Sequence, residues 1–176
     1  MNTLRLSHYK TLFEQEFVKD VRPPKDYYLM FKRSRSDFGY DLSEKLFYGL
    51  KPPFSYTNKN NELVVHVKKN KIKTLYLTYM TLDTKFENVP KESFVNLEKT
   101  RNFYINIELS KNKNVEVIPY IVQYNKLGKK NMIKITKPMQ FFKVDEDVIK
   151  LRLVFKCKGH GNFIIRSITR RDLDVK

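Results

Sequence analysis

The stretch LRLVFKCKGHGNFIIRSITRRD, residues 151–172, decides how the rest of the chain is read. Leu151, Leu153, Phe155 and Cys157 alternate with Arg152, Lys156 and Lys158. That period of two sets one face of a strand against a core and the other toward water. Gly159-His160-Gly161 interrupts the run, and Asn162 to Thr169 takes it up again. The two halves read as the last hairpin of a sandwich, with His160 a solvated residue at its tip. Cys157 keeps step with the apolar positions and reads as a buried structural thiol. It is the single cysteine, so the chain makes no internal disulfide.

Working outward, the same alternation recurs in NFYINIEL, residues 102–109, where Phe103, Ile105, Ile107 and Leu109 share one side. VEVIPYIVQY follows a Lys/Asn turn, and Asn125-Lys126-Leu127-Gly128-Lys129 is a natural hairpin loop. Residues 132–135 read as a short edge strand. Residues 63–67 and 72–82 read as two strands joined around Lys69-Asn70, and 26–32 as another dense run of β-formers. Residues 38–56 look irregular, with a helical turn at 42–47, and 83–99 form a charged connection containing Pro90. Roughly seven to nine strands at this spacing, without a βαβ rhythm, predict an all-β fold. The expected domain spans 26–173 and is an antiparallel β-sandwich, jelly-roll-like, with one face of each sheet toward water.

Residues 4–19 carry the one amphipathic helical pattern, and the expected fold is preceded by this N-terminal helix. Leu6, Tyr9, Phe13 and Phe17 recur at spacings of three and four, and Arg22-Pro23-Pro24 ends the pattern. Residues 1–22 are therefore expected to be a packing or attachment segment. Its aromatic stripe would meet a parent domain or a second copy in a homo-oligomer. Glu14, Glu16 and Asp20 disfavour an anionic lipid surface.

The composition agrees with a strand-rich globular chain: 176 residues, 41% hydrophobic, 31% charged, no alanine and no tryptophan. Abundant Lys, Asn and Ile suggest an AT-rich genome. No apolar run approaches the ~20 residues of a membrane helix, and MNTLRLSHYK lacks the apolar heart of a secretory signal. The expected place is the cytoplasm, or peripherally the inner membrane face. A formal charge of +16 attracts polyanions, whether nucleic acid, lipid headgroups or phosphate-rich polymers.

A search for chemistry yields no enzyme signature. His8, His66 and His160 are far apart, so no metal is expected, and Asp145-Glu146-Asp147 reads as a charged turn. There is no Gly-x-Gly-x-x-Gly after a strand, no phosphate loop and no nucleophile elbow, hence no expected cofactor. What remains is aromatic residues among basic ones. Tyr104 is the best ligand-binding candidate, because the other phase of its strand is plainly the core face. Arg33 with Arg35, and Arg166 with Arg170, are expected to form pairs on single strand faces, where a guanidinium suits phosphate or carboxylate. Tyr120 and Tyr124 share a phase with Ile118 and Val122, which predicts core burial for both.

The stretch IKLRLVFKCKGHGNFIIRSI, residues 149–168, resembles the terminal hairpin of a recurring domain. Its carriers are Gly159-His160-Gly161-Asn162-Phe163 and Ile165-Arg166-Ser167-Ile168. Tyr124-Asn125-Lys126 with Lys129-Lys130, and the strand at 102–109, are similar to further parts of it. That domain is the carbohydrate-binding-module-like β-sandwich attached to Gram-positive glycosyltransferases, including those that decorate wall teichoic acid. The resemblance implies a non-catalytic accessory module that binds a polymer, mediates self-association or steadies a catalytic domain absent from this chain. Its motifs shape the fold and supply no binding residue.

Three functions follow as expectations. The first is a module binding an anionic cell-wall glycan polymer, or supporting a glycosyltransferase domain. The second is a basic nucleic-acid-binding protein of phage or mobile-element origin. The third is a structural or oligomerisation domain without ligand.

Overall fold

The computed structural model describes residues 37–49, 53–81, 87–110 and 114–173. The helix expected over 4–19, with Leu6, Tyr9, Phe13 and Phe17, lies outside the described residues, as do the strand expected at 26–32 and Arg33 and Arg35.

Among the described residues the chain forms β1 (Asp37–Gly39), β2 (Phe47–Gly49), β3 (Phe54–Lys59), β4 (Glu62–Val67) and β5 (Leu75–Tyr79). It continues with β6 (Asn102–Ser110), β7 (Val115–Asn125), β8 (Gly128–Lys134), β9 (Gln140–Lys143), β10 (Lys150–Gly159) and β11 (Gly161–Asp172). One 3-10 turn, Glu44–Leu46, falls where the sequence predicts a helical turn. The strands build two antiparallel sheets. The first has the order β3-β4-β11-β6-β9, with β1 also on β11, and the second has the order β2-β5-β10-β7-β8.

The expected hairpin at Gly159-His160-Gly161 is corrected here. β10 pairs with β5 and β7, whereas β11 pairs with β4, β6 and β1, so the two never pair with each other. The glycine turn is an arch that carries the chain from one sheet to the other. Gly159 adopts φ +90° and Gly161 φ +133°, and any Cβ at Gly159 would run into the backbone carbonyl of Asn114. The His160 N–H donates to that same carbonyl at 3.1 Å, fastening this arch to the residue that leads into β7. Because the arch turns the strands face to face, Leu151, Leu153, Phe155 and Cys157 meet Phe163, Ile165 and Ile168 across the core, all almost fully buried. The crossings between β4 and β5, β6 and β7, β8 and β9, and β9 and β10 also change sheet, as in a jelly roll.

True hairpins join β3 to β4 and β7 to β8. In the first, Asn60 and Asn61 take φ of 51° and 62°, the left-handed pair that a tight two-residue turn needs and asparagine tolerates. Residues 40–46 and 94–97 close one end of the sandwich. There the Tyr40 ring stacks on Phe94 at 4.6 Å, and the Tyr79 hydroxyl donates to the Asp41 carbonyl at 2.6 Å.

Candidate functional site

Tyr104 stands where the sequence predicts, on the outer face of β6. Its neighbour Phe103 points into the core and stacks on Phe142 of β9, with ring centroids 5.6 Å apart. One residue along each strand, Tyr104 and Phe141 repeat the pairing on the outside at 5.2 Å and an interplanar angle of 46°. Phe141 is 44% exposed, a large apolar ring open to water on a strand only four residues long. Register places Arg171 of β11 opposite Tyr104 on the other side, so Phe141, Tyr104 and Arg171 form one cross-strand row. Asn106 and Thr169 make the next row inward along the same face. Two adjacent aromatic faces with amide, hydroxyl and guanidinium groups beside them can stack against a sugar ring and hydrogen-bond its hydroxyls.

The expected Arg166 and Arg170 pair does not share a face. Between Ile165 and Ser167 the register with β6 shifts by one residue, a β-bulge with Arg166 as the extra residue. The bulge reverses the phase of the rest of β11. Before it Phe163 and Ile165 face inward, and after it Ile168, Arg170 and Asp172 do. Arg166 stays outside, with Nε 3.4 Å from a Glu62 carboxylate oxygen.

Arg170 is folded into the sandwich end. Its Nε lies 2.7 Å from Asp172 Oδ1, Nη2 donates to Oδ2 at 3.0 Å, and Nη1 donates to the Tyr40 hydroxyl at 2.7 Å. The Phe38 ring lies against the guanidinium at 4.9 Å. The side chains of Arg170 and Asp172 are only 13% and 8% exposed, so Arg170 clamps β1 to β11 and is out of reach of a polymer. Burial pushes the Tyr40 phenol up to about 12 although Arg170 pulls it down.

The bulge also marks a gap. β4 covers β11 up to Ile165 and β1 covers it from Thr169 onward. A cleft of about 300 Å³ opens between them, lined by Asp41, Ser43, Asn58, Asn61, Arg166 and Ser167 among others. Its lining on β11 runs from Arg166 to Thr169, so it begins two residues from Arg171 of the Tyr104 row, about 7 Å at a strand rise of roughly 3.3 Å per residue.

Tyr120 requires a second correction, whereas Tyr124 is buried as predicted, in a second core cluster. The core phase of β7 is Val115, Val117, Pro119, Ile121 and Gln123, which face β10 residues of the inner phase. Tyr120 is therefore half-buried on the outer face of the five-stranded sheet, in one row with Tyr48, Thr78, Val154 and Lys134. Tyr124 is buried on that outer face, in a small second cluster with Val122, Val154 and Val89. Residues 87–93 lie over this part of the sheet. Asn88 accepts from Arg152 Nη2 at 3.4 Å, Lys91 accepts from Lys150 Nζ at 3.0 Å, and Glu87 pairs with Lys129 at 3.3 Å.

The remaining side chains singled out in the sequence lie around these faces. Cys157 is buried, which pushes its thiol up to about 12 and leaves it inert. His160 is exposed at the arch tip, and His66 Nδ1 meets Asn162 Oδ1 on the outer face of the six-stranded sheet. Asp145 and Asp147 bracket Lys130 Nζ at 2.8 and 2.6 Å, which raises the lysine pKa and lowers that of Asp147. Among the described residues no cluster of three His, Cys, Asp or Glu could hold a metal ion, and no helix is long and apolar enough to cross a membrane.

Phe141 and Arg171 are the members of the row that sequence reasoning missed. Phe141 carried a signal, since its neighbour Phe142 takes the core phase of a two-phenylalanine run. Arg171 carried none, because the bulge hides its phase.

No protein-family model matches the chain, and no curated protein matches it. Solved structures similar to it include the Glycosylation Associate Protein complex from Streptococcus agalactiae, at 9% identity and a TM-score of 0.49. That match covers 78% of this chain and 44% of the other. The accessory secretory protein 1, 2 and 3 structure from Streptococcus pneumoniae is similar at 8% identity and a TM-score of 0.45, over 70% of this chain and 88% of that one. The C-terminal family 22 carbohydrate binding module of Clostridium thermocellum Xyn10B is similar at 12% identity and a TM-score of 0.43, over 88% and 99%. The chain spans less than half the length of the first of these. At such identities and scores the likeness carries nothing about ligand or partner, so the functional reading rests on the residues of the faces themselves.

Proposed function

We propose that the chain is a non-catalytic accessory module that binds a glycan polymer, one bearing anionic groups, across the outer face of its six-stranded sheet. The observation that carries the reading is the exposed Phe141 beside Tyr104, flanked by Arg171. An aromatic pair left open on a sheet exterior costs hydration free energy that a ligand ring relieves. Tyr104 and Phe141 would stack on sugar rings. Arg171, and Arg166 with the polar cleft farther along β11, would meet carboxylate or phosphodiester groups, and the +16 charge would steer the polymer in. A glycosyltransferase domain that builds or modifies such a polymer would gain residence on it through this module.

The test is a binding titration of a soluble teichoic-acid-type polymer with the unaltered chain and with Tyr104→Ala and Phe141→Ala. Each substitution is expected to weaken binding about ten-fold, near the ~1–3 kcal/mol of a lost aromatic stack. Unchanged affinity in both variants, with folding intact, would refute the assignment of this face.

A further inference from the structure

Along one side of the sandwich the two sheets are left unfinished, and the unfinished parts face each other. β9 pairs with β6 only from Asn102 to Ile105, and β8 pairs with β7 only from Tyr120 to Asn125. Ile107 and Leu109 on β6, and Val115 and Val117 on β7, lie beyond that cover.

The direction of their main-chain groups follows from neighbouring bonds. The Ile135 N–H donates to the Pro119 carbonyl at 2.9 Å, so Pro119 points away from β10. Alternation points the N–H and C=O of Val117 and Val115 the same way. Proline has no N–H to lose there, as suits an edge. On β6, Val144 N–H donates to the Arg101 carbonyl at 2.9 Å, and alternation carries that direction through Ile105 to Ile107 and Leu109. Among the described residues these four pair only with β11 or β10, and no strand lies against them on the open side, where β9 and β8 stop short. Between the two edges opens a groove of about 630 Å³, walled by the same four side chains and rimmed by Lys134 and Lys137. The one carboxylate at its rim, Glu116, lies 3.5 Å from Lys158 Nζ.

We propose that this groove receives an extended segment of an acidic partner protein, added as a strand to the β7 edge. Bare strand edges select an extended peptide over a compact ligand, because only a main chain satisfies a row of N–H and C=O groups. The half-exposed Ile107, Leu109 and Val117 select a segment apolar at every second residue. Lys134 and Lys137 select carboxylates at its flanks, and the net charge of +16 works against a second copy of this chain as the occupant. The uncovered residues 115–118 accommodate a strand of about 14 Å at ~3.4 Å per residue.

The test uses the full chain and a short labelled peptide alternating Val with Glu, followed by fluorescence anisotropy. Saturable binding is expected, and it is expected to disappear when alternate peptide nitrogens are methylated or when Ser replaces Val. Val117→Pro removes one edge N–H without touching the β10 ladder, and is expected to weaken binding about three- to ten-fold. Lys134→Glu and Lys137→Glu, both at exposed positions, are expected to weaken it as well, and keep the test open should the proline variant fail to fold. The proposal is overturned by an absence of saturable binding, by indifference to methylation, or by equal binding of the Ser peptide. It is also overturned if sedimentation finds a dimer that Val117→Pro dissociates, which would make the occupant a second copy.

Discussion

Arg170 and Asp172 illustrate how one side chain's surroundings set its worth. Removing one member of a nearly buried ion pair strands the other in a medium that solvates it poorly. Asp172→Ala is therefore expected to lower unfolding free energy by about 3–5 kcal/mol, and Arg170→Met added to it to recover part of that loss. Arg166→Ala, which loses only an exposed partner, is expected to change stability by less than about 1 kcal/mol. Urea titrations of the three variants check this. The buried phenols and thiol give a second expectation. Tyr40 and Tyr56 are raised from 10.0 to about 12, Cys157 from 9.0 to about 12, and Tyr79 is raised too, in each case first by burial. The folded state holds their protons more tightly than the unfolded chain. This stabilisation is complete below pH 9 and is lost as pH rises through the folded values near 12. An alkaline melt series should show falling midpoints across that window, with phenolate absorbance of these tyrosines rising with unfolding.

At the scale of elements, two irregularities decide the architecture. The arch at 159–161 depends on Gly159, where a side chain meets both a left-handed φ and the Asn114 carbonyl. Gly159→Ala is expected to cost about 2 kcal/mol or more, while Gly39→Ala, which meets open space, costs under about 1 kcal/mol; thermal midpoints separate the two. The bulge at Arg166 sets which residues of β11 face inward. Deleting Arg166 removes the extra residue and leaves Ile165, Ile168 and Asp172 in one regular inward alternation, so it is expected to preserve cooperative urea unfolding, whereas deleting Arg166 and Ser167 together would turn Ile168 and Asp172 outward and is expected to abolish it. Much of this was legible in the sequence where one face of a strand is dry and the other wet, as in β6 and the inner phase of β10. It was illegible where that contrast fails. β7 is apolar in both phases because residues 87–93 cover part of its outer face, so its sequence points Tyr120 to the wrong side. In IIRSITRR apolar and basic residues occupy both phases, which conceals a one-residue bulge. A Gly-x-Gly turn serves a hairpin and an arch alike, since pairing partners far along the chain make the choice. β1, β2 and β3 are short strands among Tyr, Pro and Gly and carry too few alternations to register.

For the whole molecule, the proposed function rests on the outer face of the six-stranded sheet for contact and on the charge for attraction at a distance. The fold was legible as a sandwich from the spacing of its strands. Of the candidate site only Tyr104 was, because Phe141 and Arg171 join it through pairing and a bulge rather than through proximity in the chain. The +16 charge acts at long range and is screened within about 10 Å at 0.1 M salt, while stacking on Tyr104 and Phe141 is not. The measurement that bears most directly on the central claim is a titration of the chain with teichoic-acid-type polymer and with single-stranded DNA of matched charge, each at low and physiological salt. Polymer binding that persists at physiological salt while DNA binding collapses is the predicted result. Equal collapse of both would contradict it, leaving the charge a general attraction to polyanions and the aromatic row without a ligand.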